Sequence, residues 1–269
     1  MTRMLQTRGG RVAYETYGAE GTPIVALPGI GDTRASYRAL GPRLADAGYA
    51  VFAMDLRGHG QSDAGFASYT SEDIGDDVVA LLDALNLRRA VLIGNSIGAA
   101  AITHAALRSD RVARLVLLSG FVSDPPMFGL IRSLVLPLFS RPWGVWAWGL
   151  YRKTLFKTPP ADLAANQAAV LDNLREPGRL DAARAMMRAS KAGIYARLAE
   201  VSVPALIAMG AEDPDFADPV VEAEWQAARL GGDSRAVMIP GAGHYPQVER
   251  PVETLDAVLA FLQDTRNVP

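Results

Sequence analysis

The stretch Val91-Leu92-Ile93-Gly94-Asn95-Ser96-Ile97-Gly98, running into Ala99-Ala100-Ala101, decides how this chain is read. The apolar run from Ala90 to Ile93 has the length and composition of a short parallel strand buried on both faces. It ends in a G-x-S-x-G pentapeptide and passes into small residues of high helical propensity. Strand, sharp turn and helix form the context in which G-x-S-x-G makes a nucleophile elbow. The turn strains the backbone of Ser96 and lifts its hydroxyl above the sheet. Gly94 and Gly98 flank it because side chains there would collide with the neighbouring strand and helix. A Gly-rich chain also produces this pentapeptide at ordinary strand-to-helix turns, so the surrounding sequence has to decide.

Outward from the elbow, apolar strands alternate with helical segments. Leu5 to Tyr17 alternates around Gly9-Gly10 as a hairpin, and Pro23 to Leu27 is a strand ending in Pro28-Gly29-Ile30-Gly31-Asp32. A helix is expected near Tyr37 to Ala47, then a strand over Ala50 to Met54, closed by Asp55 and the loop Arg57 to Asp63. Thr70-Ser71-Glu72-Asp73 has the form of a capping box, and Ile74, Val78, Leu81, Leu82 and Leu85 give the following helix one apolar face. Further strands are expected at 115–118, 203–209 and 236–239, with a final helix carrying Leu255, Val258, Leu259 and Leu262. This alternation predicts a doubly wound, mostly parallel sheet, whose ligands bind beyond the carboxyl ends of the strands.

Composition narrows the function. The 269 residues, 49% of them hydrophobic, suffice for one large α/β core with an inserted element. A net charge of -2 offers no basic face for nucleic acid. Without cysteine, disulfides and thiolate metal sites are out, and with His59 the only loop histidine besides His244 a His-based metal site is not expected. Neither a metal nor a cofactor is expected. The first residues, Met1 to Gln6, contain no apolar h-region, so the cytoplasm is the expected location. Gly29-x-Gly31 after a strand, with Asp55 ending the next, imitates a dinucleotide fingerprint, but Arg34 stands where the third glycine must let helix and strand approach. No G-K-[ST] occurs, which removes a Walker loop.

Between residues 121 and about 200 the strand alternation breaks, and helical segments interrupted at Pro177-Gly178 are expected instead. Pro125 to Ala161 contains no Asp or Glu, while Arg132, Arg141, Arg152, Lys153 and Lys157 punctuate an apolar run. Charges and prolines interrupt it well short of the ~20 residues of a membrane span, so no stable membrane insertion is expected. The basic residues are expected to face solvent with their stems over apolar surface, the alternative being that they meet an anionic substrate group or membrane lipids. Trp143, Trp146, Trp148 and Phe128 are candidates for substrate binding if this insertion roofs a site at the strand ends.

Three residue types then fall in a telling order: Ser96, a carboxylate just past the strand at 203–209, and His244 in the Gly-rich loop after the next strand. A serine hydroxyl is a poor nucleophile until an imidazole accepts its proton, and a carboxylate must fix that imidazole's tautomer. His59 is expected to hold its own loop, and His104 to be packed in the core.

With these motifs in place, the chain resembles an α/β-hydrolase of the esterase and epoxide-hydrolase-like branch with a helical cap. The likeness runs through L-P-G-I-G-D at 27–32, D-L-R-G-H-G-Q-S-D at 55–63, G-N-S-I-G at 94–98, G-A-E-D-P at 210–214 and G-A-G-H-Y-P at 241–246. It implies a core over residues 1–120 and 201–269 and a cap over 121–200. It also implies Ser96 as nucleophile, Asp213 as acid, His244 as base, and the backbone N–H groups of Ile30 and Ile97 as oxyanion hole. Asp124 and Asp215 are rivals for the acid, and Asp213 is favoured by its place in the G-A-E-D motif. The family often has His-Gly where this chain has Pro28-Gly29, which alters the loop's hydrogen bonds. Serine at the elbow departs from the dehalogenase and epoxide-hydrolase chemistries, which use Asp there. The expectation is a cofactor-independent serine hydrolase acting on an ester, lactone or thioester of a small, hydrophobic substrate. An acyl transferase, C–C hydrolase or perhydrolase on the same residues, and a small-molecule receptor on the same fold, are the alternatives.

Overall fold

The computed structural model describes residues 1–124 and 128–264. Its strands are β1 (Arg3–Thr7), β2 (Gly10–Tyr17), β3 (Thr22–Leu27), β4 (Tyr49–Met54), β5 (Ala90–Asn95), β6 (Val112–Leu118), β7 (Ala205–Gly210) and β8 (Ser234–Ile239). They form one sheet in the order β1-β2-β4-β3-β5-β6-β7-β8. The β1–β2 hairpin and the β2–β4 pair are antiparallel; every other pair is parallel. The helices are α1 (Leu40–Asp46), α2 (Ser71–Ala84), α3 (Ile97–Arg108), α4 (Phe128–Val135), α5 (Gly144–Thr154), α6 (Leu163–Arg175), α7 (Arg179–Arg188), α8 (Ala192–Tyr195), α9 (Pro219–Arg229), α10 (Pro246–Glu249) and α11 (Pro251–Leu262). This is the doubly wound α/β-hydrolase fold expected from the sequence.

Every residue of β5 and β7 is buried, as continuous apolar runs in interior parallel strands require. The two-residue period of the strand divides the core. Leu92 packs with Ile74 and Val78 of α2 and Ile102 of α3, whereas Val91 and Ile93 pack with Leu40 and Leu44 of α1 and Phe261 of α11. The capping box at Thr70 forms: its Oγ1 accepts from Asp73 N at 3.1 Å, and Asp73 Oδ2 accepts from Thr70 N at 2.9 Å. The single helix expected near Tyr37 to Ala47 is instead a 3-10 turn (Arg34–Tyr37) followed by α1. Pro42 lacks an N–H and therefore belongs in a helix's first turn, which sets the start of α1.

Helices α4 to α8 lie between β6 and β7, with a 3-10 turn (Leu136–Phe139) between α4 and α5. The chain turns from α6 into α7 at Gly178, whose φ of 81° suits glycine. Among the described residues no helix is long and apolar enough to cross a membrane. The loops after β5, β6, β7 and β8 carry Ser96, Phe121, Asp213 and His244, so parallel topology delivers all four to one edge of the sheet.

Candidate active site

Ser96 sits between β5 and α3 with φ 56° and ψ -120°, a conformation costly for a non-glycine residue and sustained only by its surroundings. Its N–H donates to Leu118 O at 3.1 Å, and its carbonyl accepts from Phe121 N at 3.1 Å. A Cβ on Gly94 would lie 2.3 Å from Gly98 O, and one on Gly98 would lie 2.9 Å from the carbonyls of Leu27 and Pro28. These are the collisions expected at a strand–turn–helix elbow. Asn95, which the sequence reading passed over, is fully buried and donates through Nδ2 to Leu118 O and His244 O, each at 3.0 Å. It ties the serine's turn to the loop that carries the histidine.

His244 is buried, and its Nδ1 lies 2.8 Å from Asp213 Oδ2 and 3.7 Å from Asp215 Oδ2. Asp213 also accepts from Asp215 N at 3.0 Å, which orients its carboxylate. Burial alone would disfavour the imidazolium. The charge and hydrogen bond of Asp213, with Asp215 and Glu249 behind them, outweigh it and push the His244 pKa up to about 9. Tyr151 Oη, from α5, donates to the Asp215 carboxylate, 2.9 Å from each oxygen. Asp215 is driven upward, first by desolvation. The donor atoms of Asp213, Asp215 and His244 lie within 4.8 Å of one another, close enough for a metal ion. Asp213 and Tyr151 already occupy the groups that would face it.

Glu249, at the end of α10, fastens this corner. Its Oε1 accepts from Gly243 N at 2.9 Å and Tyr245 N at 3.2 Å, and its Oε2 from Lys157 N at 2.6 Å and Thr158 N at 2.8 Å. His244 N donates to Leu155 O at 2.8 Å. The histidine loop and the segment following α5 are thus hydrogen-bonded as one piece.

The loop Pro28 to Asp32 comes against Ser96 from β3. A Cβ on Gly29 would lie 3.0 Å from that of Ser96, so glycine permits the approach. Gly31 N donates to His59 Nε2 at 2.9 Å, and His59 Nδ1 lies 3.1 Å from Arg57 O. Accepting at Nε2 places the proton on Nδ1, and burial pulls the His59 pKa down to about 4, keeping the ring neutral in that role. His59 therefore holds its own loop at Arg57, as expected, and also braces the loop Pro28 to Asp32. Arg152 of α5 donates to Asp32 Oδ2 at 3.0 Å, Gln167 Oε1 at 2.9 Å and Asn166 Oδ1 at 2.7 Å, with its guanidinium over Phe156 and Tyr245. It is 1% exposed, which corrects the expectation that this arginine faces solvent: a buried carboxylate and two amides replace water around it.

Ser96, His244, Asp215, Gly29, Ile30 and Ile97 all border one cavity of about 380 Å³, roofed by Phe139, Trp148, Tyr151, Leu155 and Met187 from the segment between β6 and β7. Ile97 opens α3, so its N–H belongs to a first turn without intrahelical acceptors. Of the three aromatic candidates whose side chains are described, only Trp148 lines this cavity. Trp143 and Trp146 are 55% and 68% exposed and stand outside it, because α5 turns the face carrying Trp148 inward. The side chain of Phe128 lies outside the described residues. Asp124 accepts from the Ser190 hydroxyl and from Lys191 N at 2.9 Å, an engagement away from His244. His104 packs against Gly75 of α2 at the margin of the core, with its side chain 13% exposed, and pairs at 3.1 Å with the exposed Asp76. Asp55 is occupied by Arg34, whose N–H it accepts at 2.8 Å, and by Gln61 N at 2.9 Å, which leaves it nothing to offer a ribose.

A family model described as "Alpha/beta hydrolase family" matches residues 24–257. Epoxide hydrolase A of Mycobacterium tuberculosis is 29% identical, over 97% of this chain and 96% of its own. An esterase from Rhodococcus sp. ECU1013 superposes with a TM-score of 0.82 at 26% identity, covering 98% of both chains. An N-acyl homoserine lactone degrading enzyme superposes with a TM-score of 0.77 at 26% identity, over 96% of this chain and all of its own.

Proposed function

The chain belongs to the alpha/beta hydrolase family, and from that premise we propose that it is a serine hydrolase cleaving a carboxylic ester, lactone or thioester with a hydrophobic acyl part. One observation carries the reading: a strained Ser96 and a buried His244, itself hydrogen-bonded to Asp213, border the same apolar cavity. In this mechanism His244 Nε2 takes the proton as Ser96 Oγ attacks the carbonyl carbon. Asp213 holds the other ring proton on Nδ1 and stabilises the imidazolium. The N–H groups of Ile30 and Ile97 receive the developing oxyanion. The imidazolium then protonates the leaving alkoxide or thiolate, and water activated by the same histidine releases the acyl group from Ser96. The reaction needs no cofactor.

Residues 121–200 act as a cap in this reading, and Arg152 docks it onto the loop that carries Ile30. The cavity wall supplied by Phe139, Trp148, Leu155 and Met187 favours acyl chains over acetate, since each buried methylene contributes about 0.8 kcal/mol. A serine at the elbow supports ester cleavage over epoxide opening, despite the epoxide hydrolase among the relatives. An ester panel graded in acyl length, run on the wild type and Ser96→Ala, tests the proposal. Wild type is expected to prefer longer acyl chains, a fluorophosphonate to label Ser96, and Ser96→Ala to lose turnover with its fold intact. Undiminished hydrolysis by Ser96→Ala refutes the mechanism.

A further inference from the structure

The segment that roofs the cavity is apolar on its outside as well. Among the described residues, Leu130, Leu134 and Leu138 are exposed at four-residue spacing along α4 and the following 3-10 turn. Trp143, Trp146 and Leu150 are exposed at helical spacing along α5 and its approach. The inward side is already filled by Leu136, Phe139 and Trp148. The 3-10 turn packs against both α4 and α5 and links the two stripes along the chain. Core packing does not account for leucines at 65% and 57% exposure and a tryptophan at 68%. Exposed apolar surface gathered in this way marks a docking face.

Two features say what covers it. First, residues 125–161 contain no acid, and Arg141 and Lys153 are exposed among the apolar residues. At the 3-10 turn a cleft of about 430 Å³ is lined by Ser133, Leu136, Pro137, Ser140, Arg184 and Arg188. Arg184 and Arg188 stand four apart on α7 and converge on this cleft. Arg184 reaches Asp181 at 3.3 Å through Nη1, while its buried Nε has no hydrogen-bond partner. Two guanidinium groups with the Ser140 hydroxyl suit a phosphate diester, while the Ser133 hydroxyl already donates to Gly129 O at 2.9 Å. Second, Leu136 walls both this cleft and the cavity of Ser96. A second copy of the chain is the poorer occupant, because a two-fold contact sets the same patch against itself and opposes like charges.

We propose that this face docks on the surface of an anionic phospholipid bilayer. The leucines and tryptophans enter the headgroup–acyl boundary, and Arg184 and Arg188 take a lipid phosphate. Tryptophan is the side chain that membrane interfaces favour, and basic residues draw a protein onto anionic lipid. The contact is interfacial and brings the mouth of the cavity to the lipid surface. It is independent of the reaction performed inside.

The test is flotation of the intact protein with vesicles of phosphatidylcholine and phosphatidylglycerol, against phosphatidylcholine alone, with circular dichroism and thermal melting to verify each variant's fold. Wild type is expected to float with the anionic vesicles and to be released by salt. Arg184→Gln and Arg188→Gln are each expected to weaken binding roughly fivefold, and Leu134→Glu with Trp146→Glu to lower it at least tenfold. Should the double-glutamate variant misfold, blue-shifted tryptophan emission of wild type on anionic vesicles alone provides the second readout. Failure to bind anionic vesicles, equal binding to both compositions, or unchanged binding by folded variants overturns the proposal. So does light scattering that finds a dimer which Trp146→Glu dissociates.

Discussion

Replacing Asp215 by asparagine removes one of two negative charges bearing on His244 Nδ1, while keeping the side chain's shape and an oxygen to accept from Tyr151. The charge lies 3.7 Å from Nδ1. At that distance Coulomb's law gives about 1 kcal/mol at the dielectric of water and about 4.5 kcal/mol at an effective dielectric of 20. Asp215 shares its charge with the Tyr151 hydroxyl and remains 17% exposed, which places the interaction in the lower half of that range. An interaction of about 1–3 kcal/mol is roughly one to two pH units at 1.36 kcal/mol per unit. The sign follows from the role of the base. Carboxylates raise the proton affinity of His244, and the imidazole must be neutral to accept the serine proton, so kcat/KM climbs with pH through a limb near 9. Without Asp215 that limb moves roughly one to two units toward acid. At pH 7 a pKa of about 9 leaves about 1% of the base neutral. Asp215→Asn is therefore expected to hydrolyse a short neutral ester about tenfold or more faster than wild type at pH 7, and no faster at pH 10. The assay is kcat/KM from pH 6 to 10 for both proteins. Coincident limbs, or a limb displaced toward alkali, refute the electrostatic argument.

Asp213→Asn is expected to leave His244 in the wrong tautomer and cost on the order of 10³–10⁴ in turnover, whereas Asp124→Asn stays near wild type; steady-state kinetics of both separate the two acids. Arg152→Ala strands the buried Asp32 carboxylate and is expected to cost about 3–5 kcal/mol in denaturant unfolding. Trp148→Ala opens the cavity roof, and should lower kcat/KM for octanoyl esters more than for acetyl esters; equal losses would mean that the indole only supports the fold.

The core was legible because its signals are local. Gly94 and Gly98 announce the elbow by what they lack, Thr70 and Asp73 announce a helix start, and runs such as Ala205 to Met209 announce interior strands. The roof was legible as helical but not in its orientation. A helix apolar on two sides has no single face for the 3.6 period to select, so nothing separated Trp148, which turns inward, from Trp143 and Trp146, which do not. Arg152 reads as a surface residue until its partner Asp32, 120 positions away in sequence, is set beside it by the fold. The same holds for Tyr151, Asn95 and Glu249, whose roles consist of contacts between distant segments and leave no local pattern. Asp213 and Asp215 differ by two residues in sequence; the G-A-E-D motif favours Asp213, and the distances to His244 Nδ1, 2.8 and 3.7 Å, separate the two in space.

The hydrogen bonds that Glu249 makes across the histidine loop and the segment after α5 also bear on how such a protein diversifies. Other ties bind the inserted helices as closely. Asn173 of α6 exchanges two 2.9 Å hydrogen bonds with the backbone of Gly60, and Arg179 of α7 donates to Ser62 O at 2.9 Å. Grafting the whole insertion from a relative would sever these joints at once and disturb the loops beside the serine and the histidine. The stretch from α4 through the 3-10 turn is different: it supplies cavity wall at Val135, Leu136 and Phe139, yet none of the joints just named is anchored in it. Substrate range in this lineage is accordingly most evolvable there, where sequence can drift or be recombined without unfastening the machinery beneath it.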